Sequence, residues 1–186
     1  MKSAYRTALV IILAVIISLT GCAKKITVTN DTELAQSVYG TWTFKASSQV
    51  EFWSEPNTEN ETYLGKASIL NTNSISFSEN QSFTMQTTSS VESLDLRDDS
   101  LMSEEEITQQ VEKTMSISGQ FSIDKNYLEL NSENVLVNNI PYTAEEYSQI
   151  DSTFGATRQI QKWSLSNNSL TLSDLKGSSI VTFTKQ

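Results

Sequence analysis

The 186-residue chain contains no histidine, one cysteine, two prolines and six glycines. Without histidine it lacks the usual general base, the usual member of a catalytic triad and the commonest zinc ligand. A lone cysteine excludes an internal disulfide, so the fold rests on its core alone. So few prolines and glycines exclude a Pro-rich stalk or a collagen-like repeat. Cations are also scarce, with 13 Lys+Arg against 22 Asp+Glu. Phosphate backbones repel such a chain, which argues against a nucleic-acid partner.

The cysteine sits in an informative place. Lys2 and Arg6 precede an apolar run from Ala8 to Leu19, interrupted only by Ser18, which leads into Leu19-Thr20-Gly21-Cys22. Charge, apolar core and small-residue site, in that order, make a secretory signal over residues 1–21. The alternative is a membrane-spanning anchor. Twelve residues at about 1.5 Å each reach only about 18 Å of a ~30 Å hydrocarbon core, which favours the signal. The tetrapeptide resembles the lipobox of bacterial lipoproteins. That resemblance implies acylation of the Cys22 thiol, cleavage before Cys22 and a membrane as partner. Ala23 stands where some Gram-negative lipoproteins carry an inner-membrane retention Asp, so the expected address in such a host is the outer membrane. Removal of residues 1–21 takes two cations and no acid, leaving 11 Lys+Arg against 22 Asp+Glu in 165 residues, enough for one domain.

Residues 22–36 read as the lipidated cysteine and a polar tether, with a first strand at Ile26–Thr29 as the alternative. From residue 37 onward the pattern is that of short strands. Val38, Gly40, Trp42, Phe44 and Ala46 alternate with polar partners, then Gln49–Trp53, and Thr62–Leu70 follows a loop at 54–61. A hairpin is expected over Ser74–Thr88, turning at Glu79-Asn80-Gln81. Residues 94–102 read as charged and irregular. Ser103 and Glu106 form a capping-box pair before a short helix at 103–112, with a long hairpin loop as the alternative. Met115, Ile117, Gly119, Phe121 and Ile123 define the clearest strand. Lys113 breaks its apolar face, and Gly119 suggests a bulge. Tyr127–Leu130 and Asn134–Val137 follow, Pro141 is expected to stop the second of these, and Thr143-Ala144-Glu145-Glu146 starts a second short helix. Strands over 157–166, 169–173 and 179–184 close the chain, joined at Asn167-Asn168 and Lys176-Gly177.

Eight to ten short strands without long crossovers predict an all-β domain over 37–186. The expected form is an antiparallel up-and-down barrel of about eight strands with one or two short helices, a β-sandwich being the alternative. Gly40-Thr41-Trp42-Thr43-Phe44 resembles the G-x-W opening of lipocalins. The order of Ile75–Thr84, Ser118–Ile123, Trp163–Leu172 and Val181–Lys185 is similar to bacterial lipocalin-like domains. The resemblance implies a barrel whose Trp42 plugs one end, stacked on a basic residue for which Lys185 and Arg158 both qualify.

No cofactor or metal is expected. Asp95, Asp98, Asp99 and Glu104–Glu106 are dense but lack the alternating spacing and glycine of a calcium loop. There is no G-x-S-x-G, and Ser173-Asp174-Leu175-Lys176 spells a Ser–Lys dyad only inside a turn. Binding rather than catalysis is therefore the expected role. Phe44, Phe52, Phe77, Phe83, Met85, Met115, Phe121 and Trp163 face inward. They either line a cavity for a small hydrophobic or amphipathic ligand or fill the core. In the second case the chain is a structural or protein-interaction module of the envelope, contacting a partner through its loops.

Overall fold

The computed structural model describes residues 26–53, 62–97, 103–151 and 157–186. The signal segment, Cys22, the 54–61 loop and the acids Asp98 and Asp99 lie outside the described residues. Three helices are described, α1 (Thr32–Val38), α2 (Glu104–Val111) and α3 (Ala144–Ile150). Nine strands are described: β1 (Gly40–Trp53), β2 (Tyr63–Phe77), β3 (Ser82–Leu96), β4 (Lys113–Ile123), β5 (Tyr127–Val137), β6 (Ile140–Thr143), β7 (Arg158–Ser166), β8 (Ser169–Ser173) and β9 (Ile180–Lys185). No described helix is long and apolar enough to cross a membrane.

Every strand pairs antiparallel with its neighbour, and β9 returns to β1, so eight strands close an up-and-down barrel. The ninth, β6, is a short edge hairpined onto the upper half of β5 through Asn138 and Asn139, both at positive φ. This edge contains Pro141, paired with Leu136, so Pro141 does not end the element as its sequence position suggests. An edge strand tolerates a residue without an N–H.

Four further expectations are corrected. The segment read as tether and first strand contains α1. Asp31 caps it by accepting from the N–H groups of Glu33 and Leu34, and Ala35 and Val38 are buried beneath the barrel. The strands are also longer than their apolar alternation. Asn71 and Asn73 lie within one 15-residue strand instead of separating two. Likewise Leu94–Leu96 belongs to β3, and Tyr127–Val137 is a single strand.

Both capping boxes form. Ser103 and Glu106 exchange hydrogen bonds at the start of α2, and Thr143 and Glu146 do so at α3. The expected bulge at Gly119 is present: the β4–β5 register shifts between Ser118 and Gly119, leaving Glu133 unmatched.

The core has two parts. The larger fills the closed end of the barrel around Trp42, Phe83, Phe121 and Phe183. The smaller lies where β1, β2 and β3 overrun the barrel. There Phe52, Leu64, Ala67 and Ile69 pack against Ile107 and Val111, the two apolar positions of α2 set four apart.

The outer face of β5 and β7 carries a charged pair. The Arg158 guanidinium donates to both Glu129 oxygens, from Nε at 2.7 Å and Nη2 at 2.9 Å. This bond holds the Glu129 carboxyl below its usual range, against the opposing effect of burial. The folded pKa is depressed, so the pair's contribution is present above the ordinary glutamate pKa of about 4.3 and is lost as pH falls through the folded value. Urea midpoints measured from pH 7 to pH 3 should therefore fall less steeply below pH 4.5 in Glu129→Gln than in the natural chain. Equal acid slopes would contradict this assignment.

Candidate functional site

Successive rings of register partners inside the barrel change character along its axis. Next to the closed-end partners Gly40, Phe77, Phe83 and Gly119 stands a ring of Trp42, Ile75, Met85 and Ile117, all buried and apolar. The next is Phe44, Asn73, Thr87 and Met115. Above it stand Ala46, Asn71, Ser89 and Lys113, all but Ala46 polar or charged on an inner face. Strand periodicity alone produces this, since every second residue points inward and the sequence places polar residues at inward positions from 71 to 73 and 87 to 89.

The closed end is packed. Trp42 is wholly buried and donates its indole N–H to the Val38 carbonyl of α1 at 2.7 Å, while Lys185 Nζ lies 5.1 Å from its ring centroid. Of the two basic residues that qualify, Lys185 is the one at Trp42, and Arg158 is engaged by Glu129. Phe77 and Phe121 meet edge-on with centroids 4.8 Å apart. Ile75, Met85, Leu130, Gln161, Leu172, Val181 and Phe183 surround a void of about 10 Å³, the space of a single water. Gln161 and Gln159 are buried, and their Oε1 atoms have no protein donor.

The inward residues expected from the sequence thus divide among three places. Phe77, Phe83, Met85, Met115 and Phe121 fill the closed-end core. Phe52 belongs to the separate cluster under α2. Phe44 and Trp163 pack at the margin of the larger core, Trp163 donating its N–H to the Asp124 carbonyl at 2.7 Å.

The polar ring above is different. Asn71 and Asn73 are buried, and their Oδ1 atoms accept from Ser89 Oγ at 2.8 Å and Thr87 Oγ1 at 2.9 Å. Backbone pairing between β1 and β9 covers only Trp42 and Thr43. Above that point the inner-face residues Phe44, Ala46, Ser48 and Val50 are only half-buried. Lys113 faces this space, half-buried, with no carboxylate partner among the described residues. Burial pushes its ammonium pKa down, because leaving water disfavours the charged form.

The chain matches no family model and no characterised sequence. Among those described, no three acidic or cysteine side chains converge as a metal site would require. The ring presents hydroxyls, amides and one ammonium at the edge of an apolar core, a set suited to holding an amphipathic molecule by an anionic head. Lys113 was legible in the sequence as the one break in the apolar face of β4. Asn71 and Asn73 were not, because they resemble a turn.

Proposed function

We propose that the chain is an extracytoplasmic lipoprotein, anchored to a membrane through acylated Cys22, whose barrel binds a small amphipathic molecule and performs no catalysis. In a Gram-negative host the membrane is the outer one. The lone cysteine, placed in a lipobox behind an apolar run, supports the anchor. Lys113 carries the binding half of the reading. An ammonium turned inward, partly desolvated and unpaired among the described residues is costly unless an anion meets it there. The ligand's apolar part lies along Phe44 and Ala46, and its head reaches Lys113, Ser89 and Asn71. The packed closed end supports a shallow site in the upper barrel over a deep hydrophobic one.

Titration of the mature chain with 1-anilinonaphthalene-8-sulfonate, an aromatic anion, tests the site. A charge-assisted hydrogen bond contributes about 1.5–3 kcal/mol, so Lys113→Met should weaken binding about 10- to 150-fold while Lys113→Arg retains it. Equal binding by the natural chain and Lys113→Met would overturn the reading. Mass spectrometry of the native N-terminal peptide tests the anchor separately.

The nearly filled closed end favours a second reading, an envelope interaction module that takes no ligand. Cross-linking of a single partner in intact membranes, together with no anion binding at the barrel, would select it.

A further inference from the structure

The segment Ile26–Asp31 is fastened to one side of the barrel. Arg158 Nη2, besides holding Glu129, donates to the Ile26 carbonyl at 2.8 Å. Four residues on, Asn30 Oδ1 accepts from the Ile123 amide at 3.3 Å, and the Asp31 amide donates to the Ile123 carbonyl at 2.7 Å. Glu129 and Ile160 point outward by strand parity and are nevertheless buried. Their burial marks this outer face of β5 and β7 as the one the N-terminal segment covers. The described part of the tether is therefore a strap, held at Arg158 through Ile26.

Chain length turns this into an orientation. Four Cα steps separate Cys22 from Ile26, and each spans at most about 3.6 Å, so the acylated cysteine lies within about 14 Å of the strapped carbonyl. A barrel held that closely does not tumble freely above the bilayer.

Charge points the same way. Lys162 projects from the outer face of β7 beside Tyr127, and Lys125 is exposed in the β4–β5 turn two residues earlier. Neither has an ion-pair partner among the described residues. Lys24 and Lys25 add two cations in sequence between the anchor and the strap, and residues 22–29 contain no acid. In a mature chain with twice as many acids as bases, two of the 11 cations, Lys125 and Lys162, lie on the strapped side, and two more, Lys24 and Lys25, fall in the sequence just before Ile26. Each is worth about 1 kcal/mol near an anionic lipid surface, an attraction that fades beyond a Debye length of about 8–10 Å.

We propose that the strapped side of the barrel, where the N-terminal segment lies over β5 and β7 beside the exposed Lys125 and Lys162, is a membrane-docking surface that rests on anionic lipid headgroups. The proposal builds on Cys22 as the anchor, and it leaves the opposite wall, β1 and β2, turned toward solvent.

The single cysteine allows a test that does not depend on biological acylation. The mature chain is coupled through Cys22 to maleimide-headgroup lipid in vesicles of phosphatidylcholine containing phosphatidylglycerol. Lysine acetylation rates are then compared with those of the uncoupled chain. Lys45 and Lys66, on the diametrically opposite strands β1 and β2, serve as internal references. Lys125 and Lys162 should be acetylated at least threefold more slowly on vesicles, with Lys45 and Lys66 unchanged. The protection should shrink in pure phosphatidylcholine. A flexible 12-residue insertion between Lys25 and Ile26, outside the folded barrel, should also reduce it. Equal rates at all four lysines, selective protection of Lys45 and Lys66, or protection indifferent to phosphatidylglycerol would each overturn the proposal. Absence of acyl chains on native Cys22 would instead refute the anchor, whatever the footprint shows.

Discussion

Replacing Trp42 with alanine should cost about 3–5 kcal/mol of stability, the range for removing a large aromatic from a packed interior. The indole has no exposed surface and sits where α1 closes the barrel. Its loss removes packing from the closed-end core shared with Val38 and leaves a cavity there. Trp42→Phe separates the contributions. It keeps an aromatic ring but leaves the Val38 carbonyl without its donor and weakens the Lys185 contact, for a smaller loss of about 1–3 kcal/mol. Urea denaturation of the two variants should give midpoints in that order, both below the natural chain. Parity of Trp42→Ala with the natural chain would mean that α1 does not close this end.

Gly119→Ala should be nearly as damaging, at about 3 kcal/mol, for a different reason. A Cβ there would collide with the Asn131 carbonyl across the bulge, and that obstacle is backbone. No rotamer change relieves it, so β4 and β5 must separate where their register shifts. In a domain of this size each kcal/mol lowers Tm by about 2–4 °C, so the melting temperature should fall by about 6–12 °C. Gly177→Ala is the contrast. It adopts φ of +76° but has open space around it, so only the left-handed backbone cost of about 1–2 kcal/mol applies. Thermal melts of the two variants separate a steric requirement for glycine from a conformational one.

These two sites also show what sequence reading captures. The Gly119 bulge, both capping boxes and the Asn167 turn were legible because each depends on neighbouring residues. The up-and-down meander followed from short connections between alternating strands. Strand length was not legible where the inner face turned polar. Asn71, Asn73, Thr87 and Ser89 satisfy one another across β2 and β3, and only the tertiary pairing reveals those partners. Composition at 71–73 reads as a turn, whereas the hydrogen bonds make it continuous sheet. Helix α1 was hidden for a similar reason. Seven residues form a weak helix alone, and burial of Ala35 and Val38 against the barrel stabilises it. Phe52 alternated correctly and still belonged to another core, since periodicity reports the face a residue occupies and not its height along the strand.

The same limit applies to the site. Lys113 stood out as a polar interruption, but its neighbours became visible only once register joined Ala46, Asn71, Ser89 and Lys113 into a ring. That ring is the least apolar part of the barrel interior. It lies between two hydrophobic clusters, where a cooperative fold gains nothing from an ammonium with no carboxylate partner among the described residues. The proposed binding role would account for its position.

The most direct test is a two-dimensional amide NMR titration of the mature chain with decanoate, a small carboxylate amphiphile. The account predicts saturable shifts at Asn71, Asn73, Ser89 and Lys113, including the side-chain amides of both asparagines. Residues of the packed end such as Phe83, Phe121 and Ile123 should stay unchanged. Shifts confined to the closed end, or none at the polar ring up to millimolar decanoate, would contradict it.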